Sequence, residues 1–255
     1  MAFVRKRWAT RLGLIALTTA GVGAFAVPGA QAASVGAASI VWDGDVQVVQ
    51  FKAATGKANK VVVSNAKHGV IVDDKYRIKA GKGCKAVKGD RTKVYCGVGE
   101  WTQKVRVHTY DRNDTITNKT RLSLVAYAGT GNDTVTGGSS GDFLYGQSGH
   151  DTIHGKGGAD YLVGNSGNDK VYGDGGDDRL FGDTGSDKLY GGAGRDALSG
   201  DQGRDKLYGG AGDDILSGDD WGKHAADLLN GGANGTSGGD WCQAERGDTK
   251  RACER

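Results

Sequence analysis

The chain has 255 residues, with 33 basic and 30 acidic side chains and a formal net charge of +3. This small value hides a strong segregation of charge: residues 33–127 carry seventeen basic and eight acidic side chains, whereas residues 128–230 carry eight and eighteen. Beyond an N-terminal apolar run, no segment is long and apolar enough to span a bilayer, which excludes a transmembrane segment in the mature chain.

Residues 1–32 have the pattern of a secretory signal peptide. A basic start precedes an apolar run from Leu12 to Val27, and Ala30, Gln31 and Ala32 supply a small-x-small cleavage pattern. The run holds three glycines and is too short to span a membrane well. We therefore predict cleavage after Ala32 and a secreted, extracellular protein.

Residues 33–127 are predicted to form a basic, β-rich N-terminal region. Segments such as 46–51, 60–64 and 104–110 are rich in strand-forming residues and are separated by turn residues. The segment Asn113–Ile116 echoes the core of the repeats that follow. A β-helix-like section that continues into those repeats is the favoured interpretation, and an independent β-sandwich is the alternative.

Basic residues crowd one stretch of this region. They are Lys52, Lys57, Lys60, Lys67, Lys75, Arg77, Lys79, Lys82, Lys85, Lys88, Arg91 and Lys93. Such a density attracts polyanions. It therefore suggests binding of an anionic cell-wall polymer or polysaccharide, although a solvated basic surface is the simpler interpretation. Nothing indicates a specific nucleic acid, and the oligomeric state is not predicted.

The four cysteines occur as two local pairs, Cys84 with Cys96 and Cys242 with Cys253. In an exported chain an even, locally paired set indicates disulfides. Of the three possible connectivities we favour the two local ones. A zinc site is the alternative, but the histidines are scattered relative to the cysteines.

Between Ala128 and Ser217 a nine-residue unit repeats ten times without a gap, in the frame G-G-x-G-x-D-x-U-x, where U is aliphatic. The sixth place is always aspartate: Asp133, Asp142, Asp151, Asp160, Asp169, Asp178, Asp187, Asp196, Asp205 and Asp214. We attribute the glycines at the first, second and fourth places to tight turns with positive φ. The segment x-U-x suits a short strand with the aliphatic side chain inward.

Two copies make one coil, so that copies eighteen residues apart stack as parallel strands about 4.8 Å apart. The aspartates then form two columns of five, in which neighbouring carboxylates repel unless a cation lies between them. Calcium takes six to eight oxygen ligands, including the backbone carbonyls that such turns present. We predict roughly eight calcium ions and a roll that folds when it binds them.

After Ser217 the register slips. Gly218–Asn230 is a thirteen-residue copy in which Asp227 fills the sixth place. Because solenoids need atypical ends, residues 231–255 are predicted to form a C-terminal cap that holds the Cys242–Cys253 disulfide. Trp221 and Trp241 are expected to pack within this end, with a ligand-facing role as the alternative.

The repeat resembles the RTX, or haemolysin-type, calcium-binding repeat. With the signal pattern, the Gly81–Cys84 segment and the cysteine-bearing tail, the chain resembles secreted actinobacterial calcium-binding proteins of that family. The resemblance implies an all-β, right-handed parallel β-roll from 128 to 230. It also implies that the ten aspartates ligate calcium, and extends this role to Asp114 and Asp227.

No catalytic constellation emerges, so we predict that the protein is not an enzyme. Residues 137–141 match G-x-S-x-G but lie inside a repeat, where the strand-to-helix turn of a nucleophile elbow is absent. Calcium binding is thus the predicted function. An extracellular adhesin that uses the basic region, with purely structural calcium, is the alternative.

Overall fold

The computed structural model describes residues 35–99, 102–218, 226–233, 239–244 and 248–253. The predicted signal peptide and Trp221 lie outside these ranges. Within them all regular structure is β, and no helix is available to cross a membrane. The strands are β1 (Gly36–Asp43), β2 (Val46–Lys52), β3 (Lys60–Ala66), β4 (Gly69–Asp73), β5 (Ile78–Ala80), β6 (Cys84–Ala86), β7 (Lys93–Gly97), β8 (Thr102–His108), β9 (Thr115–Lys119), β10 (Ser123–Thr130), β11 (Thr134–Thr136), β12 (Phe143–Ser148), β13 (Thr152–His154), β14 (Tyr161–Ser166), β15 (Lys170–Gly175), β16 (Arg179–Thr184), β17 (Lys188–Ala193), β18 (Ala197–Ser199), β19 (Lys206–Ala211), β20 (Ile215–Ser217), β21 (Leu228–Ala233), β22 (Trp241–Gln243) and β23 (Thr249–Arg251).

Two sheets run along the molecule. The first has eleven strands in the order β22-β20-β18-β16-β14-β12-β10-β8-β2-β1-β5, and the second has twelve in the order β23-β21-β19-β17-β15-β13-β11-β9-β3-β4-β7-β6. From β8 onward successive strands alternate between the sheets, so each pair of strands makes one coil. The molecule is a parallel β-solenoid, consistent with the predicted right-handed β-roll.

The nine-residue period sets the strand register. Leu144 pairs with Leu162, and Leu162 pairs with Leu180, each one coil further along the chain. The eighth-place residues of the ten copies are at most 2% exposed and form one core between the two sheets. Their neighbours at the seventh and ninth places point outward because side chains alternate along a strand.

The outer face of the second sheet carries a column of rings. His154, Tyr172, Tyr190 and Tyr208 fill the ninth places of successive coils, and their rings stack in near-parallel pairs. The centroid separations are 4.4, 4.8 and 4.9 Å, close to the spacing of neighbouring strands. The strand pairing therefore places these rings in contact.

The N-terminal region is continuous with the roll. β2 and β3 pair in parallel with β8 and β9, so the first coil of this region lies in the same stack. The antiparallel strands β1, β4, β6 and β7 extend the sheets beyond that coil. The β-helix-like prediction is confirmed, and a separate β-sandwich is excluded.

At the other end, β22 pairs with β20 and β23 pairs with β21. The described part of the tail therefore adds one strand to each sheet. Trp241 is 48% exposed on β22, so it does not pack into the core. Both predicted disulfides are present: Cys84–Cys96 joins the paired strands β6 and β7, and Cys242–Cys253 closes the tail.

Candidate metal centre

The predicted aspartates lie in two buried columns along the edges of the roll. The long column precedes the strands of the second sheet and contains Asp114, Asp133, Asp151, Asp169, Asp187, Asp205 and Asp227. The short column precedes the strands of the first sheet and contains Asp142, Asp160, Asp178, Asp196 and Asp214. All twelve are at most 3% exposed. The structure thus brings every sequence-predicted site residue into one of two continuous stacks.

Hydrogen bonds to the backbone fix one oxygen of each carboxylate. Except in the first member of each column, the Oδ1 atom accepts the N–H of the aspartate one coil earlier, as in the 2.7 Å bond from Asp133 N to Asp151 Oδ1. Asp114 and Asp142 accept instead from the backbone N–H of Asn59 and Leu124. In the short column Asp160 N donates to Asp178 Oδ1 at 2.8 Å. Each carboxylate is therefore oriented by the coil before it, and this leaves its other oxygen to face the turn.

That second oxygen is buried and has no hydrogen-bond partner in most members of the columns. This applies to Oδ2 of Asp114, Asp133, Asp151, Asp160, Asp169, Asp178, Asp187, Asp196 and Asp214. Asp142 differs, because its Oδ2 accepts the N–H of Gly138 at 2.6 Å. Burying an oxygen without a partner is costly. Its repetition along both columns indicates a ligand rather than an isolated defect.

Backbone carbonyls face the same space as these oxygens. A Cβ built on the first-place Gly146 would lie 2.3 Å from Asp151 Oδ2 and 2.9 Å from the carbonyl oxygen of Gly164, one coil further on. On Gly191 the corresponding distances, to Asp196 Oδ2 and the Gly209 carbonyl, are 2.4 and 2.5 Å. Carboxylate and carbonyl oxygens of successive coils thus converge where a side chain would otherwise lie.

The expected role of the first-place glycines in left-handed turns is wrong. None of those from Gly137 to Gly209 has a positive φ; glycine is required there because a Cβ would collide with carboxylate and carbonyl oxygens. Positive φ occurs at the second and fourth places. The second-place residues Gln147 and Lys156 adopt it, at 78° and 82°, despite having side chains.

Burial is the largest cause of raised carboxyl pKa values in both columns. The pKa is raised to about 7 for Asp114, Asp151, Asp160, Asp187 and Asp196, and to about 6 for Asp133, Asp142 and Asp214. For Asp151 the charges of Asp133 and Asp169, one coil away on either side, contribute in the same direction. Burial and the neighbouring carboxylates therefore disfavour ionisation of the columns, and a cation between them would favour it.

The donor set fits calcium. Calcium accepts carboxylate and backbone carbonyl oxygens together in flexible geometry. Among the described residues no three His, Cys, Asp or Glu side chains converge on one point, so an ion at the columns would need the turn carbonyls. A zinc site at the cysteines is excluded, because all four form disulfides.

Two further aspartates extend the columns and were missed from the sequence. Asp214 N donates to Asp240 Oδ1, and Asp227 N donates to Asp248 Oδ1, each at 3.0 Å. The signal for Asp240 was available: residues 231–243 form a second thirteen-residue copy, again with four inserted residues. It was obscured because Cys242 replaces the aliphatic residue at the eighth place.

At the N-terminal end an asparagine occupies the sixth-place position. Asn59 N donates to Asp114 Oδ1 at 2.5 Å, and its carbonyl accepts Thr115 N–H at 3.0 Å. Asp133 makes the same two contacts, with Asp151 and Thr152. The turn before Asn59 therefore stacks on the long column as another coil, although no repeat is visible in its sequence.

Comparison with known families agrees with this geometry. The model of the RTX calcium-binding nonapeptide repeat (4 copies) matches residues 127–162, 154–189 and 190–220. A search of curated proteins found no match. The matched residues cover more than a third of the chain and coincide with the central coils of both columns.

Proposed function

Because residues 127–220 are RTX calcium-binding nonapeptide repeats, we propose that the protein is an extracellular calcium-binding protein whose roll folds as calcium fills its aspartate columns. The observation that carries the proposal is the row of buried Oδ2 atoms without partners. An ion between successive coils would contact these oxygens and the nearby carbonyls, and would offset the repulsion between stacked charges.

The columns offer more positions than the ten repeat aspartates alone. With Asp248 the long column has seven intervals between successive members, and with Asp240 the short column has five. If every interval held one ion, the count would exceed the roughly eight predicted from the sequence. Extracellular calcium modules bind at about 10⁻⁴–10⁻³ M, so the roll would stay unfolded until the chain meets external calcium.

An extracellular location is supported by the two disulfides, which persist in oxidising compartments. The signal-like pattern of residues 1–32 agrees with it. We propose a non-enzymatic role in which calcium is the structural ligand. Mass spectrometry of the exported protein should find a mature N-terminus at Ala33, and an intact N-terminus at Met1 would contradict export by cleavage.

Titration of the mature chain, residues 33–255 with disulfides formed, tests the proposal. Far-UV circular dichroism should show a cooperative gain of β signal with calcium that a chelator reverses and magnesium does not reproduce. A chain that is already fully β in chelator would reduce calcium to a stabiliser and would contradict folding on binding. An absence of calcium binding by isothermal titration would overturn the proposal.

Adhesion through the basic N-terminal region is the second candidate. Of the twelve basic residues between 52 and 93, Lys93 alone forms a salt bridge among the described residues, with Asp73 and Asp90. In the described part of the chain the other eleven form no salt bridge and would suit an anionic polysaccharide. Retention of the calcium-loaded protein on such a polymer at 150 mM salt would support adhesion, and loss of binding at that salt would contradict it.

A further inference from the structure

The two ends of the long column are built differently. At its C-terminal end the column finishes with aspartates, whereas at its N-terminal end the sixth-place position is held by Asn59, which is 3% exposed. The backbone of Asn59 makes the two contacts that an aspartate backbone makes in the repeats, but its side chain ends in a neutral amide. The long column therefore begins on a coil that has no sixth-place carboxylate.

The amide nitrogen of Asn59 lies among oxygen atoms. Its Nδ2 donates to the carbonyl of Lys57 at 2.9 Å, to the carbonyl of Ala54 at 3.2 Å and to Asp114 Oδ1 at 3.2 Å. Two turn carbonyls and one carboxylate are also the donor types that calcium accepts. At this junction a side-chain N–H₂ group supplies the positive partner for the three oxygens.

We infer that the Asn59 amide takes the place of a calcium ion at the N-terminal end of the long column. Residues 54–66 would then stack on residues 109–119 without metal, and calcium dependence would begin with the aspartates that follow. The N-terminal region would offer a preformed coil on which the first calcium-loaded repeat assembles. This inference rests on the proposed function, because it assumes that the following intervals bind calcium.

Changing the amide to a carboxylate is the direct test. In Asn59→Asp, a second carboxylate would face the Ala54 and Lys57 carbonyls and Asp114, so the junction should bind one ion more than the wild-type chain. Native mass spectrometry or isothermal titration gives the count. Asn65→Asp is the matched control, because Asn65 lies on an exposed part of β3 and its amide donates only to the Lys119 carbonyl at 3.4 Å. The control should leave the count unchanged.

Asn59→Ala decides the matter if the aspartate variant does not fold. If the amide replaces the ion, Asn59→Ala should bind as many ions as the wild-type chain. Hydrogen exchange in residues 54–66 and 109–119 should be faster, both with and without calcium. Because each lost hydrogen bond shifts an opening equilibrium by about fivefold, exchange should accelerate by at least about tenfold. The loss of one bound ion in Asn59→Ala would show that Asn59 is itself a calcium ligand and would overturn the inference.

The failure of this inference is distinguishable from failure of the proposed function. If the wild-type chain binds calcium but Asn59→Asp, folded, gains no ion, the inference alone is wrong. If the wild-type chain binds no calcium, the proposed function is wrong. The metal-free exchange of Asn59→Ala still tests the junction in that case, since unchanged exchange would exclude any stabilising role for the amide.

Discussion

Replacing one first-place glycine should damage the metal centre more than its small size suggests. In Gly182→Ala the new Cβ would lie 2.4 Å from Asp187 Oδ2 and 2.7 Å from the Gly200 carbonyl oxygen. Both oxygens would have to move by about 1 Å to reach ordinary contact. The matched control is Gly175→Ala at a third place, where the nearest atom is 3.8 Å from the Cβ and φ is not positive. Alanine already occupies the position paired with Gly175, at Ala193.

The expected size follows from two effects. Overpacking costs about 1–3 kcal/mol, and loss of an ion held at twenty times its dissociation constant removes about 1.8 kcal/mol. Gly182→Ala should therefore lower the free energy of unfolding in calcium by roughly 3–5 kcal/mol. Gly175→Ala should raise it by about 0.5–1 kcal/mol, because alanine loses less backbone entropy than glycine.

Urea unfolding at a fixed, saturating concentration of free calcium measures both changes, and titration of the folded proteins gives the ion count. Gly182→Ala should bind at least one ion fewer than Gly175→Ala. Equal stabilities, or an unchanged ion count in Gly182→Ala, would refute the argument that the missing Cβ leaves room for the metal.

Four other outcomes are expected. Asp178→Ala should remove about twice as many ions as Asp142→Ala, counted by titration, because Asp142 begins its column and borders one interval; equal losses would argue against shared sites. In chelator the column carboxyls have folded pKa values of about 6 to 7, above the unfolded value of 3.8. The stability of the metal-free roll should therefore be greatest below about pH 4 and fall as the pH rises through 7, whereas its calcium affinity should rise over the same range. Circular dichroism at pH 5 and 8, in chelator and along a calcium titration, checks both. Gln147→Gly should stabilise the calcium-loaded roll by about 1 kcal/mol in urea unfolding, because it relieves a positive φ, and a loss would contradict this. Replacing Cys84 and Cys96 by serine should destabilise the N-terminal region by about 3 kcal/mol in thermal unfolding, and an unchanged unfolding temperature would contradict this.

The sequence predicts the central coils well because their contacts are local and periodic. Each strand pairs with the strand eighteen residues away. The aliphatic residue and the aspartate of each copy are therefore sufficient to predict that Leu162 lies in the core and that Asp160 stacks on Asp178. The pattern gives the position of each glycine but not its reason, since room for oxygen atoms at Gly146 becomes visible only in three dimensions.

Prediction fails where the spacing changes. Four inserted residues and an eighth-place cysteine conceal Asp240, although its backbone contacts are those of a repeat. Asn59 and Asp114 are in contact but lie 55 residues apart in the sequence. The intervening segment includes strands β4–β7, which lie beyond the first coil. No local period connects the two residues, so their stacking follows from the sheet pairing of β3 with β9.

The ring column on the second sheet gives the roll a built-in optical signal. Tyr172, Tyr190 and Tyr208 come from three successive coils and stack at 4.8 and 4.9 Å, with 5° between ring planes. Residues 128–218 contain no tryptophan, so a fragment or difference spectrum of the roll reports these tyrosines without a tryptophan from the same coils. Electronic coupling between parallel rings requires that the coils be in register, so the near-ultraviolet circular dichroism of these tyrosines should follow the assembly of the C-terminal coils without a label.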